Sequence, residues 1–198
     1  MAHTHRLRGW LAAAALLALL AGLASAPALA ASRSETLVYA HEVPIVELDP
    51  LAGYVNAPSP YEAGMLIYDN LVTFDENLQI VPALATSWSI SPDGRTWTFR
   101  LRRGVRFHDG TPFDAEAVKF NLERSMDPTQ NPLNRPLWDP IQSVRVVDRF
   151  TVAITTQRPF ATLLNTLAHG SAGMVSPAAA RQYGKDLERR PVGSGPFR

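Results

Sequence analysis

Residues 83–124 constrain the fold more than any other part of this chain. Ser-Pro-Asp-Gly at 91–94 places proline where a φ near −65° is wanted and glycine where a positive φ is favoured, which predicts a tight turn. Beyond that turn, Trp97, Phe99 and Leu101 alternate with polar residues, as in a strand with one buried face. Asp114 is placed to cap a helix whose residues Val118, Leu122 and Ser125 share one face. The segment therefore predicts a turn, a strand, a second turn and a helix, in that order.

Helix-capping residues, prolines and the alternation of apolar with polar residues predict the remaining helices, strands and loops. Ser, Pro and Glu at 59–62 form a helix start signal, and that helix is expected to run to about Tyr68. Four prolines within 127–140 predict an extended, semi-rigid loop without a regular helix. The other predicted strands are at 36–40, 71–74 and 105–107, and a hairpin is predicted at 144–154. A helical turn is predicted at 82–86 and a helix at 159–168. A last helix, capped by Ser176, is expected to run to about Tyr183. The fold class is mixed α and β.

Residues 1–30 have the pattern of a secretory leader. Arg6 and Arg8 precede an almost unbroken Ala and Leu run at 11–23, which is too short to span a bilayer comfortably. Ala-Leu-Ala at 28–30 fits the rule for signal-peptide cleavage, so the mature chain is expected to begin near Ala31. The alternative is an uncleaved membrane anchor.

Charge and cysteine content exclude several classes of function. Two of the 19 Lys and Arg residues lie in the leader, so the remainder carries 17 basic and 18 acidic residues. A near-neutral chain without basic clusters gives no reason to expect a nucleic acid partner. The absence of cysteine excludes disulfides, thiolate metal sites, cysteine nucleophiles and a lipid-modified cysteine. We therefore expect a freely exported protein, most consistent with the periplasm of a Gram-negative cell.

Four short motifs follow one another along residues 84–118. They are Leu-Ala-x-Ser-Trp at 84–88, Asp-Gly-x-x-Trp-x-Phe-x-Leu-Arg at 93–102, Phe-x-Asp-Gly-x-Pro-Phe at 107–113 and Ala-x-x-Val at 115–118. This set resembles the family 5 extracellular solute-binding proteins, which are the dipeptide-, oligopeptide- and nickel-binding subunits of ABC importers. Weaker matches extend from Leu48-Asp49-Pro50 to the Gly-x-Gly-Pro-Phe at 193–197.

The resemblance implies a periplasmic binding protein-like fold of type II, three-domain cluster, whose two lobes close on a solute. It implies a monomer without enzymatic activity, cofactor or metal, which delivers its solute to an ABC permease. The implied domains are the signal peptide at 1–30, the start of lobe I at 31–68, an extra domain at 69–176 and a return into lobe I at 177–198. Because the family is considerably longer, we expect an N-terminal fragment that binds solute weakly and is poorly soluble.

Carried over by position, the resemblance also implies solute contacts in three segments. The candidate ligand-binding residues are Tyr54, Val55, Asn56, Asn131, Leu133, Arg135, Trp138 and His169. Nickel-binding members have the Arg-x-x-Trp pattern that Arg135 and Trp138 form, whereas peptide-binding members often have Tyr where this chain has Leu133. Considered by themselves, an indole and a guanidinium on a semi-rigid loop suit the apolar body and the carboxylate of a ligand. The alternative is that Trp138 plugs the base of the loop.

The leading hypothesis is a periplasmic substrate-binding component of an ABC importer, with a peptide as the favoured solute. A nickel chelate, an opine and a sugar remain open. A second hypothesis is a secreted serine hydrolase that uses Ser194, His108 and an aspartate, although the five-residue Gly-x-Ser-x-Gly pattern is absent. A third is a sensory or chaperone module on the same fold. His108-Asp109 is otherwise typical of a turn, and the isolated histidines give a metal site little support.

Overall fold

The computed structural model describes residues 48–51, 58–130 and 135–198. Its helices are α1 (Pro58–Ile67), α2 (Ala115–Met126), α3 (Arg135–Trp138), α4 (Leu163–Ala168) and α5 (Pro177–Tyr183), with 3-10 turns at Gly170–Ala172 and Gly184–Arg189. Its strands are β1 (Val72–Phe74), β2 (Ile80–Pro82), β3 (Ala85–Ile90), β4 (Thr96–Leu101), β5 (Ile141–Asp148) and β6 (Thr151–Thr156). The described part of the chain is therefore mixed α and β, as expected.

The central element is a four-stranded antiparallel sheet with the order β3-β4-β6-β5. Its register places Phe99 opposite both Trp88 on one neighbouring strand and Val152 on the other. Phe99 and Val152 are wholly buried, while Arg100 beside them is exposed. The alternation in 96–101 thus has the predicted consequence of one apolar face and one solvated face.

Helix α2 packs against β5 and β6 and covers part of this sheet. The Asp114 side chain accepts a hydrogen bond from the Ala117 N–H at 3.3 Å, as a helix cap does. Val118, Leu122 and Ser125 are buried on the inner face of the helix, which confirms the predicted stripe. Ser176 caps α5 in the same way through the Ala179 N–H.

The predicted turns and the predicted hairpin are also present. Gly94 has a φ of 69° and its N–H donates to the Ser91 carbonyl at 2.9 Å, closing the 91–94 turn. Strands β5 and β6 pair across Asp148 and Thr151. Helix α4 begins at Leu163, later than the predicted start at Pro159.

Two predicted elements were wrong in detail, and a third could not be compared. Residues 82–86 are not a helical turn, because β2 pairs with β1 in a small sheet that aligns Val72 with Pro82, and β3 starts at Ala85. Proline is tolerated there since β2 is an edge strand of a two-stranded sheet. The expected strand at 105–107 is reduced to a single bridge between Arg106 and Pro112. The predicted strand at 36–40 lies outside the described residues.

The proline-rich loop contains a short helix where none was expected. Helix α3 spans only Arg135–Trp138, and Pro136 is its second residue. A proline in the first turn removes an N–H that would have no intrahelical partner, so the four prolines do not prevent one turn of helix.

Candidate functional site

Five of the eight predicted ligand-binding residues lie outside the described residues, and these are Tyr54, Val55, Asn56, Asn131 and Leu133. The other three lie on two different elements. Arg135 and Trp138 share helix α3, whereas His169 follows helix α4.

Trp138 is wholly buried in the main apolar core. Its indole nitrogen has no hydrogen-bond partner among the residues that the structure describes. A ring in this position reaches a solute only if its neighbours are displaced. The packing therefore corresponds to the second of the two interpretations of Trp138, in which the ring plugs the base of the loop.

Arg135 is half-buried and forms an ion pair with the exposed Asp139, with 2.9 Å between Nη1 and Oδ1. An ion pair with an exposed partner at the i+4 position of a helix contributes little to stability. Asp139 therefore lies beside the guanidinium, whose Nη1 atom is shielded from solvent.

His169 supports the local backbone. Its Nδ1 accepts a hydrogen bond from the Ser171 N–H at 3.2 Å and lies 2.8 Å from the Ser171 hydroxyl, while its carbonyl accepts from the Asn70 amide at 2.9 Å. Burial lowers the pKa of the ring, which favours the neutral form that can accept at Nδ1. The side chain thus caps the 3-10 turn at Gly170–Ala172.

A cavity of about 440 Å³ lies between the turn at 48–51, the end of helix α2 and the start of the 3-10 turn at Gly184–Arg189. Leu51 and Gln130 line it, and in the sequence they stand shortly before Tyr54 and Asn131. The charged side chains in its lining are Asp49, Arg124, Lys185 and Glu188. The volume lies within the range of about 300–1,000 Å³ that is usual for small-molecule sites. This cavity is the candidate functional site of the described part of the chain.

An ion pair between Asp49 and Arg124 forms one wall of the cavity. The guanidinium contacts both carboxylate oxygens, and the two side chains are only 11% and 12% exposed. Such a bidentate pair fixes the orientation of both partners.

The hydroxyl of the buried Tyr68 has no hydrogen-bond partner among the described residues. Burial, followed by the charge of Asp49, raises the pKa of Tyr68 far above its usual value, so this hydroxyl stays protonated.

Sequence reasoning did not identify this pair. Asp49 lies in one of the weaker motif matches and Arg124 ends the segment 83–124, but no sequence pattern connects residues 75 positions apart. The one available signal is that a buried charge requires a partner, and that applies only once burial is known.

The serine hydrolase hypothesis does not agree with the contacts of its residues. The Ser194 hydroxyl donates to Asp69 at 2.9 Å, and both ring nitrogens of His108 bond to other groups. His108 Nδ1 accepts from the Gly193 N–H at 3.3 Å, and Nε2 lies 2.8 Å from the Gly195 carbonyl oxygen. His108 therefore fastens a backbone segment and does not activate the Ser194 hydroxyl as a general base would.

Within residues 48–51, 58–130 and 135–198, no three His, Cys, Asp or Glu side chains gather as a metal-binding group. No helix in these ranges combines the length and the apolar character that crossing a bilayer requires.

Comparison with known proteins gives a consistent result. Residues 79–198 match the family described as bacterial extracellular solute-binding proteins, family 5 Middle. The glutathione-binding protein GsiB of Pectobacterium atrosepticum is 45% identical over 131 residues, which are 66% of this chain and 26% of that protein. GsiB of Salmonella paratyphi A is 39% identical over 194 residues, which are 98% of this chain and 36% of that protein.

Among solved structures, NikZ from Campylobacter jejuni in complex with Ni(L-His) is 30% identical with a TM-score of 0.73. That match covers 82% of this chain and 32% of NikZ. The chain thus spans between about a quarter and a third of the length of the proteins it matches. These relatives are binding proteins and not enzymes.

Proposed function

Because this chain belongs to the bacterial extracellular solute-binding proteins of family 5, we propose that it captures a short peptide of the size of glutathione and delivers it to an ABC permease. The observation that carries the choice of solute is the 39% identity to a glutathione-binding protein over nearly the whole chain. Peptide-binding members often have Tyr where this chain has Leu133, which argues against a peptide as the solute. The identity over 194 residues outweighs this single position.

The chemistry of the cavity supports a solute with charges of both signs. Lys185 and Glu188 offer one cationic and one anionic group at its lining, in addition to the Asp49–Arg124 pair. A short peptide carries an ammonium group and at least one carboxylate, which such groups bind through charge-assisted hydrogen bonds.

The location and domain boundaries belong to the same proposal. The leader at 1–30 and the extracellular character of the family support export to the periplasm. We assign 69–176 to the extra domain that does not form the cleft, and 31–68 and 177–198 to lobe I. Closure of two lobes on the solute requires tighter contact with the solute in the closed state than in the open state.

Isothermal titration calorimetry tests the choice of solute. The protein, expressed from its complete reading frame, is titrated with glutathione, with dialanine and with the nickel–histidine chelate. We expect saturable binding of a peptide with a dissociation constant of about 1 µM or lower. If only the nickel chelate bound, the solute would be a nickel chelate and not a peptide. Absence of binding to all three compounds would refute the proposal.

A further inference from the structure

Four exposed arginines lie on the solvated face of the sheet and beside the turn that joins β5 to β6. They are Arg100, Arg103, Arg145 and Arg149. Arg100 pairs with Thr151 and Arg145 with Ala153, from opposite sides of β6, so both project from the face that does not carry the apolar core. In the sequence these residues are spread from 100 to 149, and the pairing of β4, β5 and β6 gathers them. The four arginines and Phe150, which lies in the turn, are named the arginine surface below.

Phe150 orients two of these arginines. The guanidinium carbons of Arg103 and Arg149 lie 5.0 and 5.3 Å from the centre of its ring. A guanidinium that stacks on a ring contacts it through its flat face, so the N–H groups at its edge stay available to an acceptor. The side chain of Arg149 is 68% exposed, and its contact with Asp114 is 4.0 Å long. The two arginines are thus oriented while their donors remain open to a partner.

Few carboxylates balance the charge of the arginine surface. Within the described ranges, Arg149 is the one member that has a carboxylate oxygen within 4.0 Å. Asp148 lies nearby, and its Oδ1 accepts the Phe150 N–H at 2.8 Å. This bond and one from a neighbouring hydroxyl lower the pKa of Asp148, and the charges of Arg100 and Arg103 lower it further. Four positive groups therefore stand against the charged Asp148 and the weak contact of Arg149.

Apolar side chains accompany this charge. Val147, in the β-bulge before the turn, is 46% exposed, and Phe150 is half-buried between its two arginines. None of the four arginines lines the cavity of the candidate site, so they face outward and not into that enclosed space. A surface that combines cationic with apolar side chains suits the interface of a bilayer, where phosphate groups lie next to acyl chains. An acidic protein segment or a nucleic acid would match the charge alone.

We propose that the arginine surface docks on a lipid bilayer that carries anionic headgroups. The guanidinium groups bind lipid phosphates through paired N–H donors, and Val147 and Phe150 contact the layer between the headgroups and the acyl chains. This inference goes beyond the proposed function. It does not depend on the identity of the solute, although a bilayer is also where an ABC permease lies.

Flotation of the mature protein with lipid vesicles tests the proposal, with the protein expressed from its complete reading frame. We expect binding to phosphatidylcholine vesicles that contain about one third phosphatidylglycerol, and little binding to vesicles of phosphatidylcholine alone. Raising sodium chloride from about 0.1 M to about 0.5 M should weaken the binding strongly, because salt screens the attraction between exposed charges.

Substitution of two arginines locates the binding on this surface. The Arg103→Gln/Arg149→Gln variant should bind the anionic vesicles about 25-fold more weakly, which is about fivefold for each charge removed. Arg103→Lys/Arg149→Lys keeps both charges and should bind within about twofold of the unmodified protein. Arg181→Gln is the matched control, because Arg181 is also exposed and stacks on Phe120 at 4.9 Å, but lies on helix α5. It should leave the binding unchanged.

A further variant distinguishes a bilayer from a soluble polyanion. Val147→Ser should weaken vesicle binding about threefold and leave any binding to polyglutamate unchanged, since only a bilayer takes up the apolar side chain. Binding to polyglutamate or to a DNA duplex without binding to anionic vesicles would assign the surface to another partner and overturn the inference. Equal binding to both kinds of vesicle, or unchanged vesicle binding in the glutamine variant or in Val147→Ser, would also overturn it.

Discussion

Gly193 and Gly195 lie where no side chain fits, because both press against the backbone at the end of α1. A Cβ at Gly193 would lie 2.1 Å from the Ile67 carbonyl oxygen, and one at Gly195 would lie 2.7 Å from the Ile67 carbonyl carbon. The Gly195 N–H donates to that same Ile67 oxygen at 2.9 Å. These glycines are therefore required by close approach of two backbone segments.

Replacement of Gly193 by Ala should destabilise the protein by about 2–3 kcal/mol, since a backbone oxygen cannot move aside as a side chain can. Urea unfolding at pH 7 measures the effect. The control is Gly104→Ala, where the added Cβ meets nothing within 4 Å and only the φ of 78° is unfavourable. That control should cost about 1 kcal/mol. Equal losses in the two variants would contradict the steric explanation.

Asp109 joins the turn at 108–112 to helix α5. Its carboxylate accepts from the Thr111 N–H at 2.9 Å, from the Thr111 hydroxyl at 2.6 Å and from the Ser176 hydroxyl at 2.5 Å. Burial pushes the pKa of this carboxyl upward, but the bonds from Ser176 and Thr111 outweigh it and hold the pKa below the ordinary 3.8.

The stability that Asp109 provides should therefore depend on acid pH. A carboxyl with a lowered pKa in the folded state stabilises fully above about pH 4, and this contribution is lost as the pH falls through the folded-state pKa. Asp109→Asn should make the decline of unfolding free energy below pH 4 less steep, as measured by urea unfolding between pH 2.5 and pH 7. The slope should not vanish, because hydrogen bonds from neighbours also lower the pKa of Asp93, Asp127 and Asp148. Glu76→Gln, which removes an exposed carboxylate, is the control, and an unchanged slope in Asp109→Asn would count against this assignment.

At the scale of elements, the start of α2 depends on a single side chain. Asp114 supplies the capping oxygen at 3.3 Å from the Ala117 N–H, and its contact with the exposed Arg149 is 4.0 Å long. The cap and not the ion pair should therefore carry its contribution, because exposed ion pairs are weak.

Asp114→Ala should lower the unfolding free energy by about 1 kcal/mol, whereas Asp114→Asn keeps a capping oxygen and should lower it by only a few tenths. Chemical denaturation of both variants measures the difference. If the asparagine variant were as unstable as the alanine variant, the charge and not the cap would be the source of the effect.

The elements that sequence predicted well are those whose signals are local. The caps at Asp114 and Ser176, the turn at 91–94 and the alternation in β4 each depend on residues within one turn or one strand. Strand β2 was missed because a three-residue strand acquires its state from pairing with β1. The burial of Trp138 was left open because it depends on packing between α3 and distant elements.

The candidate site was less predictable than the fold for a similar reason. The Asp49–Arg124 pair joins residues 75 positions apart, and its existence follows only from their shared burial. Family resemblance selected segments by position, but five of the eight residues that it selected lie outside the described ranges. The contacts at 54–56, 131 and 133 remain predictions.

At the scale of the whole molecule, solute binding and folding stability are linked. A solute that binds only the folded protein raises the unfolding free energy by about 2.7 kcal/mol at a free concentration one hundred times its dissociation constant. Glutathione at that excess should therefore raise the thermal unfolding midpoint by several degrees, which differential scanning calorimetry measures. Glycine at the same concentration is the control, and an unchanged midpoint with glutathione would contradict its role as solute.

The docking of 193–195 has a consequence for the time course of folding. Its partners are His108, which is 85 positions from Gly193, and Asp69, which is 125 positions from Ser194. Contacts of such long range form slowly, because the intervening chain has to be brought into place first. In a chain that emerges from the ribosome or from a translocation channel with its N-terminus leading, the turn at His108 waits for residues made much later. The sheet can assemble earlier, but the turn at His108 is joined to the end of α1 only when Gly193 and Gly195 arrive.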